Sequence, residues 1–153
     1  MLEIDAGIFQ AADEFLRSPI AAQKHKVKSK KSAEEKPTIL VVDDQHMIAD
    51  TTAEILNKYG FRAVRAYSGR VALEIAEKLK PDYLLADVLM PLMNGVELAI
   101  AISKRSPATK ILLFSGQAGI TDILRKGQEE GYAFELVAKP IHPEKLIAHL
   151  KTK

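Results

Sequence analysis

The chain has 153 residues, 47% apolar and 27% charged, which suits one domain of ordinary size with a modest extension and excludes wholesale disorder, collagen-like repeats and coiled coils. A formal charge of +2 gives no global drive toward nucleic acid or anionic lipid, and the absence of cysteine excludes disulfides, thiol nucleophiles and Cys-ligated metals. The opening Met1-Leu2-Glu3-Ile4-Asp5 is acidic where a secretory leader is basic, and the most apolar stretch, 84–93, contains Asp87 and Pro91, so the expected setting is cytoplasmic, away from membranes.

Residues 2–16 place Ile8, Phe9, Ala12, Phe15 and Leu16 at helical spacing, with Asp5, Gln10, Asp13 and Glu14 mostly opposite, and Ser18-Pro19 ends the pattern. An amphipathic helix over 1–18 is predicted. Its apolar face needs a partner: its own domain, a second copy in a homodimer, or another protein. Residues 19–37 form a basic linker with five lysines at 24–31. The linker has no interleaved aromatics, and acids follow it, which favours a solvated tether over a nucleic-acid contact.

From residue 38 to 153 the period switches repeatedly. An apolar run at 39–42 ends in Asp43 and Asp44, and a helix follows to Tyr59, closed by Gly60. A strand at 62–66 precedes a helix over 69–79 that Pro81 stops. The run at 83–86 ends in Asp87; after Met90-Pro91 a helix covers 95–104. The run at 111–114 ends in Ser115-Gly116. A helix over 120–130, a strand at 135–138 leading to Lys139-Pro140, and a helix over 143–150 complete the chain. Strands alternating with helices indicate a parallel sheet of right-handed crossovers, and runs apolar on both faces indicate helices on each side: an α/β, doubly wound domain.

The polar residues stand at equivalent places, each at the end of a strand. In an open parallel sheet those ends share one edge, where ligands bind, so Asp43, Asp44, Asp87, Ser115 and Lys139 are expected to converge. Crowded carboxylates raise one another's pKa unless a cation offsets them, and oxygen-only ligation selects a hard divalent ion, with Mg²⁺ the natural choice. A lysine and a hydroxyl beside it complete a cradle for a transferring phosphoryl group. One carboxylate then acts as nucleophile, forming an acyl phosphate. Asp87 is favoured, because the third strand is central while Asp43 and Asp44 hold the metal.

The blocks ILVVDDQ at 39–45, AYSGRVALEIAEKLKPDYLLADVLMPLMNG at 66–95, LLFSG at 112–116 and VAKP at 137–140 resemble the receiver domains of bacterial two-component response regulators, over about three-quarters of the chain. The resemblance implies a flavodoxin-like five-stranded parallel sheet of order 2-1-3-4-5 flanked by five helices. It implies that Asp87 is the phosphoacceptor, and that Asp43, Asp44, Asp87 and the backbone carbonyl of Leu89 hold Mg²⁺. Ser115 and Lys139 would contact the phosphoryl group, and Lys139-Pro140 would be a cis peptide. The implied donor is a sensor histidine kinase or a phosphotransfer protein. The implied output is altered binding to a downstream protein, without a DNA-binding domain and without enzymatic turnover beyond slow self-dephosphorylation.

Two positions depart from the family. Leu136 stands where an aromatic switch residue is usual, with Phe134 two residues earlier, so coupling of Ser115 movement to an aromatic rotation is in question. Leu89 and Gln117 occupy the positions that tune hydrolysis, and the apolar Leu89 is expected to lengthen the life of the phosphoryl state. Leu89 also argues against a metal-dependent aspartyl phosphatase, which needs a second acid there. A non-phosphorylated scaffold of the same fold is the alternative reading. Of the histidines, His25, His142 and His149 read as surface residues, and His46 is the one near the chemistry.

Overall fold

The structure is a computed structural model that describes residues 35–116 and 119–152. The expected N-terminal helix, most of the linker and Gln117 lie outside the described residues. The elements are β1 Thr38–Val42, α1 His46–Lys58, β2 Arg62–Ala66, α2 Gly69–Leu79, β3 Tyr83–Asp87, α3 Gly95–Arg105, β4 Lys110–Ser115, α4 Thr121–Glu129, β5 Glu135–Ala138 and α5 Pro143–Lys151. All strand pairs are parallel, and the sheet order is β2-β1-β3-β4-β5, the flavodoxin-like arrangement.

Alternation along the strands divides the core in two. Leu40, Val42, Leu84, Ala86 and Leu113 point to one side, where Val71, Ala72 and Ile75 of α2 and Leu98, Ala99 and Ile102 of α3 cover them. Ile39, Val41, Leu85, Leu112 and Phe114 point to the other, against Leu56 of α1 and Leu146, Ile147 and Leu150 of α5. Every residue of β1 is buried, which explains why that run shows no polar alternation.

The ends of the elements differ in detail from the sequence expectation. Asp87 and Ser115 are the last residues of β3 and β4 rather than the first beyond them, because the ladders continue through Asp87↔Phe114 and Ser115↔Ala138. Gln45 occupies the N-cap position of α1, and its side chain makes no capping hydrogen bond. Gly60 follows α1 with φ +94°, the left-handed conformation that favours glycine at a helix end. Helix α2 ends instead on Lys80 with φ +48°, one residue before Pro81.

Candidate functional site

Because the strands are parallel, their carboxyl ends meet at one edge of the sheet, and the polar residues collect there. Asp43, Asp44 and Asp87 each present a carboxylate oxygen, all within 4.8 Å of one another. The backbone first fixes Asp43: its N–H donates to the carbonyl of Ala66, the last residue of β2 (3.2 Å), and its Oδ1 accepts from the Gln45 N–H (2.9 Å). This leaves Oδ2 of a fully buried carboxylate, and Lys139 Nζ donates to it at 2.6 Å. The same ammonium lies 3.6 Å from Asp87 Oδ1. Lys139 therefore bridges the two buried acids across strands β5, β3 and β1.

Lys139 is positioned from both its ends. Its N–H donates to the Ser115 carbonyl (2.9 Å), and the Lys139–Pro140 peptide is cis. Its Nζ stands 4.4 Å from the centre of the Phe114 ring, close enough for a cation–π attraction. Gly116 leaves room for the lysine stem, since a Cβ there would lie 3.3 Å from Lys139 Cβ. Ser115 is buried at the end of β4.

Asp87 carries the electrostatic strain of the cluster. Burial raises its carboxyl most; the Lys139 ammonium pulls it down, Asp43 and Asp44 push it up, and the result is about 6. A carboxylate so raised is stabilised by any cation that joins it. The donor set is oxygen only, with two acids buried and Asp44 open to solvent, and it fits a hard divalent ion.

Behind the site the chain is tightly folded. Gly95, the first residue of α3, packs so closely on β3 that a Cβ would lie 2.2 Å from the Asp87 carbonyl oxygen, and its N–H donates to the Val88 carbonyl (2.9 Å). Asn94 and Glu97 close the helix start as a reciprocal capping box (3.0 and 2.9 Å). In the loop between, Leu89 is partly buried against the α2–α3 core, while Leu92 is fully exposed at φ +69°.

The departures from the family pattern are also visible. Leu136 is exposed on β5, whereas Phe134 is half-buried and stacks on Tyr132 with ring centres 5.8 Å apart. His149 pairs with Glu135 through Nδ1 and Oε2 at 2.6 Å. His46, at the start of α1, stacks on Tyr67 (3.8 Å between ring centres). The Tyr67 hydroxyl donates to Asp50 (2.6 Å) and accepts from Arg65 Nε (3.1 Å). Sequence reasoning missed Phe114 and Tyr67 because each reads locally as an ordinary aromatic at the end of a strand. The capping box at Asn94–Glu97 was passed over as well, although the N-x-x-E spacing is a local signal for a helix start.

Among the described residues, no helix is long and apolar enough to cross a membrane. The profile of the response regulator receiver domain matches residues 39–151. Chemotaxis protein CheY of Thermotoga maritima is 32% identical over 116 residues, covering 73% of this chain and 92% of that protein. The autoinducer 1 sensor kinase/phosphatase LuxN of Vibrio harveyi is 36% identical over 83 residues, 54% of this chain, and the match spans only 10% of that much longer protein. Among solved structures, chemotaxis protein CheY4 of Vibrio cholerae superposes with a TM-score of 0.68 at 28% identity, covering 77% of this chain and 98% of the other.

Proposed function

Since the chain belongs to the response regulator receiver domain family, whose members are phosphoacceptors in two-component signalling, we propose that it accepts a phosphoryl group on Asp87. One observation carries this reading: three carboxylates and one ammonium gather at a sheet edge, with Asp87 on the central strand and Lys139 within reach of both buried acids.

Asp43, Asp44 and Asp87, with the backbone carbonyl of Leu89, are the groups that would hold Mg²⁺. Bound there, the ion would offset carboxylate charge and attract phosphoryl oxygens. The chain's own residues then divide the work. With its carboxyl near 6, Asp87 is mostly ionised at neutral pH, and one of its oxygens forms the new bond to phosphorus. The phosphorus–donor bond breaks in line, and its electron pair leaves on the donor. Lys139 turns from the Asp43–Asp87 pair toward a phosphoryl oxygen, and Ser115, on the neighbouring strand, hydrogen-bonds another.

The donor we infer is a sensor histidine kinase or a phosphotransfer protein, and the output a change in binding to a protein partner. Met47 and Leu92, both largely exposed at this edge of the sheet, offer apolar contacts for a docked donor. Transfer is stoichiometric and leaves an acyl phosphate, so turnover of external substrates is not part of this reading. Leu89 beside the phosphorylated aspartate offers water no hydrogen bond and favours a longer-lived phosphoryl state.

Intact mass after incubation with Mg²⁺ and a small acyl phosphate tests the proposal. One added phosphoryl group is expected in the wild type and none in Asp87→Asn. If neither protein is modified and beryllofluoride, a mimic of the acyl phosphate, fails to bind, the fold serves as a scaffold and the proposal falls.

A further inference from the structure

At the edge opposite Asp87, the C-terminal halves of α2 and α3 leave an apolar groove between them. Leu73 and Ala76 of α2 and Ile102 of α3 form its floor, and its volume is about 160 Å³. A dry apolar cavity of roughly 150 Å³ holds one benzene ring, so the groove is sized for a single aromatic side chain. Its rim is charged: Lys80 closes α2, and Arg105 pairs with Glu77 across the mouth.

The chain enters the domain beside this groove. Asp82, two residues after Lys80, accepts from the Thr38 N–H through Oδ2 (2.9 Å) and donates its own N–H to the Thr38 carbonyl (3.0 Å). Residues 1–34, which precede this entry, contain two phenylalanines, Phe9 and Phe15, at a spacing that places both on the apolar side of the expected helix. The 2–16 stretch carries Glu3, Asp5, Asp13 and Glu14 and no Lys or Arg, a charge opposite to that of Lys80, since Arg105 on the same rim is already paired with Glu77. A tether from residue 17 to 36 spans about 25 Å even as a flexible coil, enough to fold back over the groove. Such a tether holds the segment at an effective concentration on the order of millimolar, so a modest contact suffices.

We propose that residues 2–16 dock as an intramolecular clip in the groove between α2 and α3, with Phe9 or Phe15 as the anchor. This inference is independent of the role of Asp87. The clip buries the apolar face of the expected helix, and it leaves the acidic edge open because groove and cluster lie at opposite ends of the sheet.

The full chain lacks cysteine, so Gln10→Cys accepts a single nitroxide label. In isotope-labelled protein the expected result is loss of more than half the amide intensity at Leu73, Ala76, Ile102 and Ser106, unchanged on dilution. The loss should be relieved when Phe9→Ala and Phe15→Ala are added. Both substitutions lie outside residues 39–151, which match the receiver-domain family, and an unchanged urea midpoint shows that they leave its stability intact. Loss that persists in the double alanine variant reflects tether proximity alone and overturns the proposal. So does loss confined to other helices, no loss, or loss transferred to unlabelled copies in a mixed sample, which marks docking between two chains.

Discussion

Asp87 shows how a single side chain can trade stability for chemistry. Its carboxyl is raised to about 6 by burial and by the neighbouring acids, above the ordinary value near 3.8. A folded-state pKa above the unfolded one means that the folded protein binds the proton more tightly. The group therefore costs nothing below pH 4, and its penalty grows as pH rises through 6. In metal-free protein at pH 7.5, Asp87→Asn is expected to be more stable than wild type by about 1–3 kcal/mol, at 1.36 kcal/mol per pKa unit with allowance for the lost Lys139 contact. Urea denaturation in chelator at pH 7.5 and pH 4 checks this, because the advantage should vanish at the lower pH. The acids, the hydroxyl and the lysine were all legible in the sequence, since each is a charge or hydroxyl where an apolar run stops. Phe114 was not: the cation above its ring comes from Lys139, the residue after β5, and only the parallel β4–β5 pairing brings the two together.

At the scale of elements, the site depends on how closely α3 approaches β3. Asn94 and Glu97 fix where α3 begins, and Gly95 lets its first turn lie on the backbone of Asp87. Gly95→Ala would drive a methyl group into the Asp87 carbonyl, and neither backbone can yield without moving Asp87. A loss of about 2–3 kcal/mol is expected, measured as a lower urea midpoint with unchanged slope. Helix α4 is held differently. Gly127 is its one buried residue, although Ile123 and Leu124 contribute half-buried contacts. Few buried apolar contacts mean low local stability. Its boundaries were nevertheless readable, as were those of the other helices. The end of α2 on a left-handed Lys80 was not, because no local signal singles out a lysine for that conformation.

At the scale of the molecule, the fold places its two distinctive features at opposite ends of one sheet, the acidic cluster at the strand C-termini and the apolar groove at the helix C-termini. A ligand for the cluster should stabilise the whole domain, because the carboxylates come from β3 and from the turn that joins β1 to α1. Mg²⁺ at a hundredfold excess over its Kd is expected to add about 2.7 kcal/mol. The gain, read by thermal denaturation, should be larger at pH 8 than at pH 5, where the proton on Asp87 competes with the ion.

The sequence by itself determined the α/β class, the five strand–helix units and the set of polar residues at the strand ends. Those features follow from local periodicity and from the rule that parallel strands share a carboxyl edge. Only the tertiary structure decided which acid Lys139 grips most closely, that Phe114 lies beneath it, and that His46, Tyr67, Asp50 and Arg65 form one network. It also decided that the start of β1 is held by Asp82, two residues from Lys80 on the rim of a groove between α2 and α3. The physical reason is common to all of these. They are contacts between residues far apart in the chain, set by strand register and helix packing, and no spacing within a single segment encodes them.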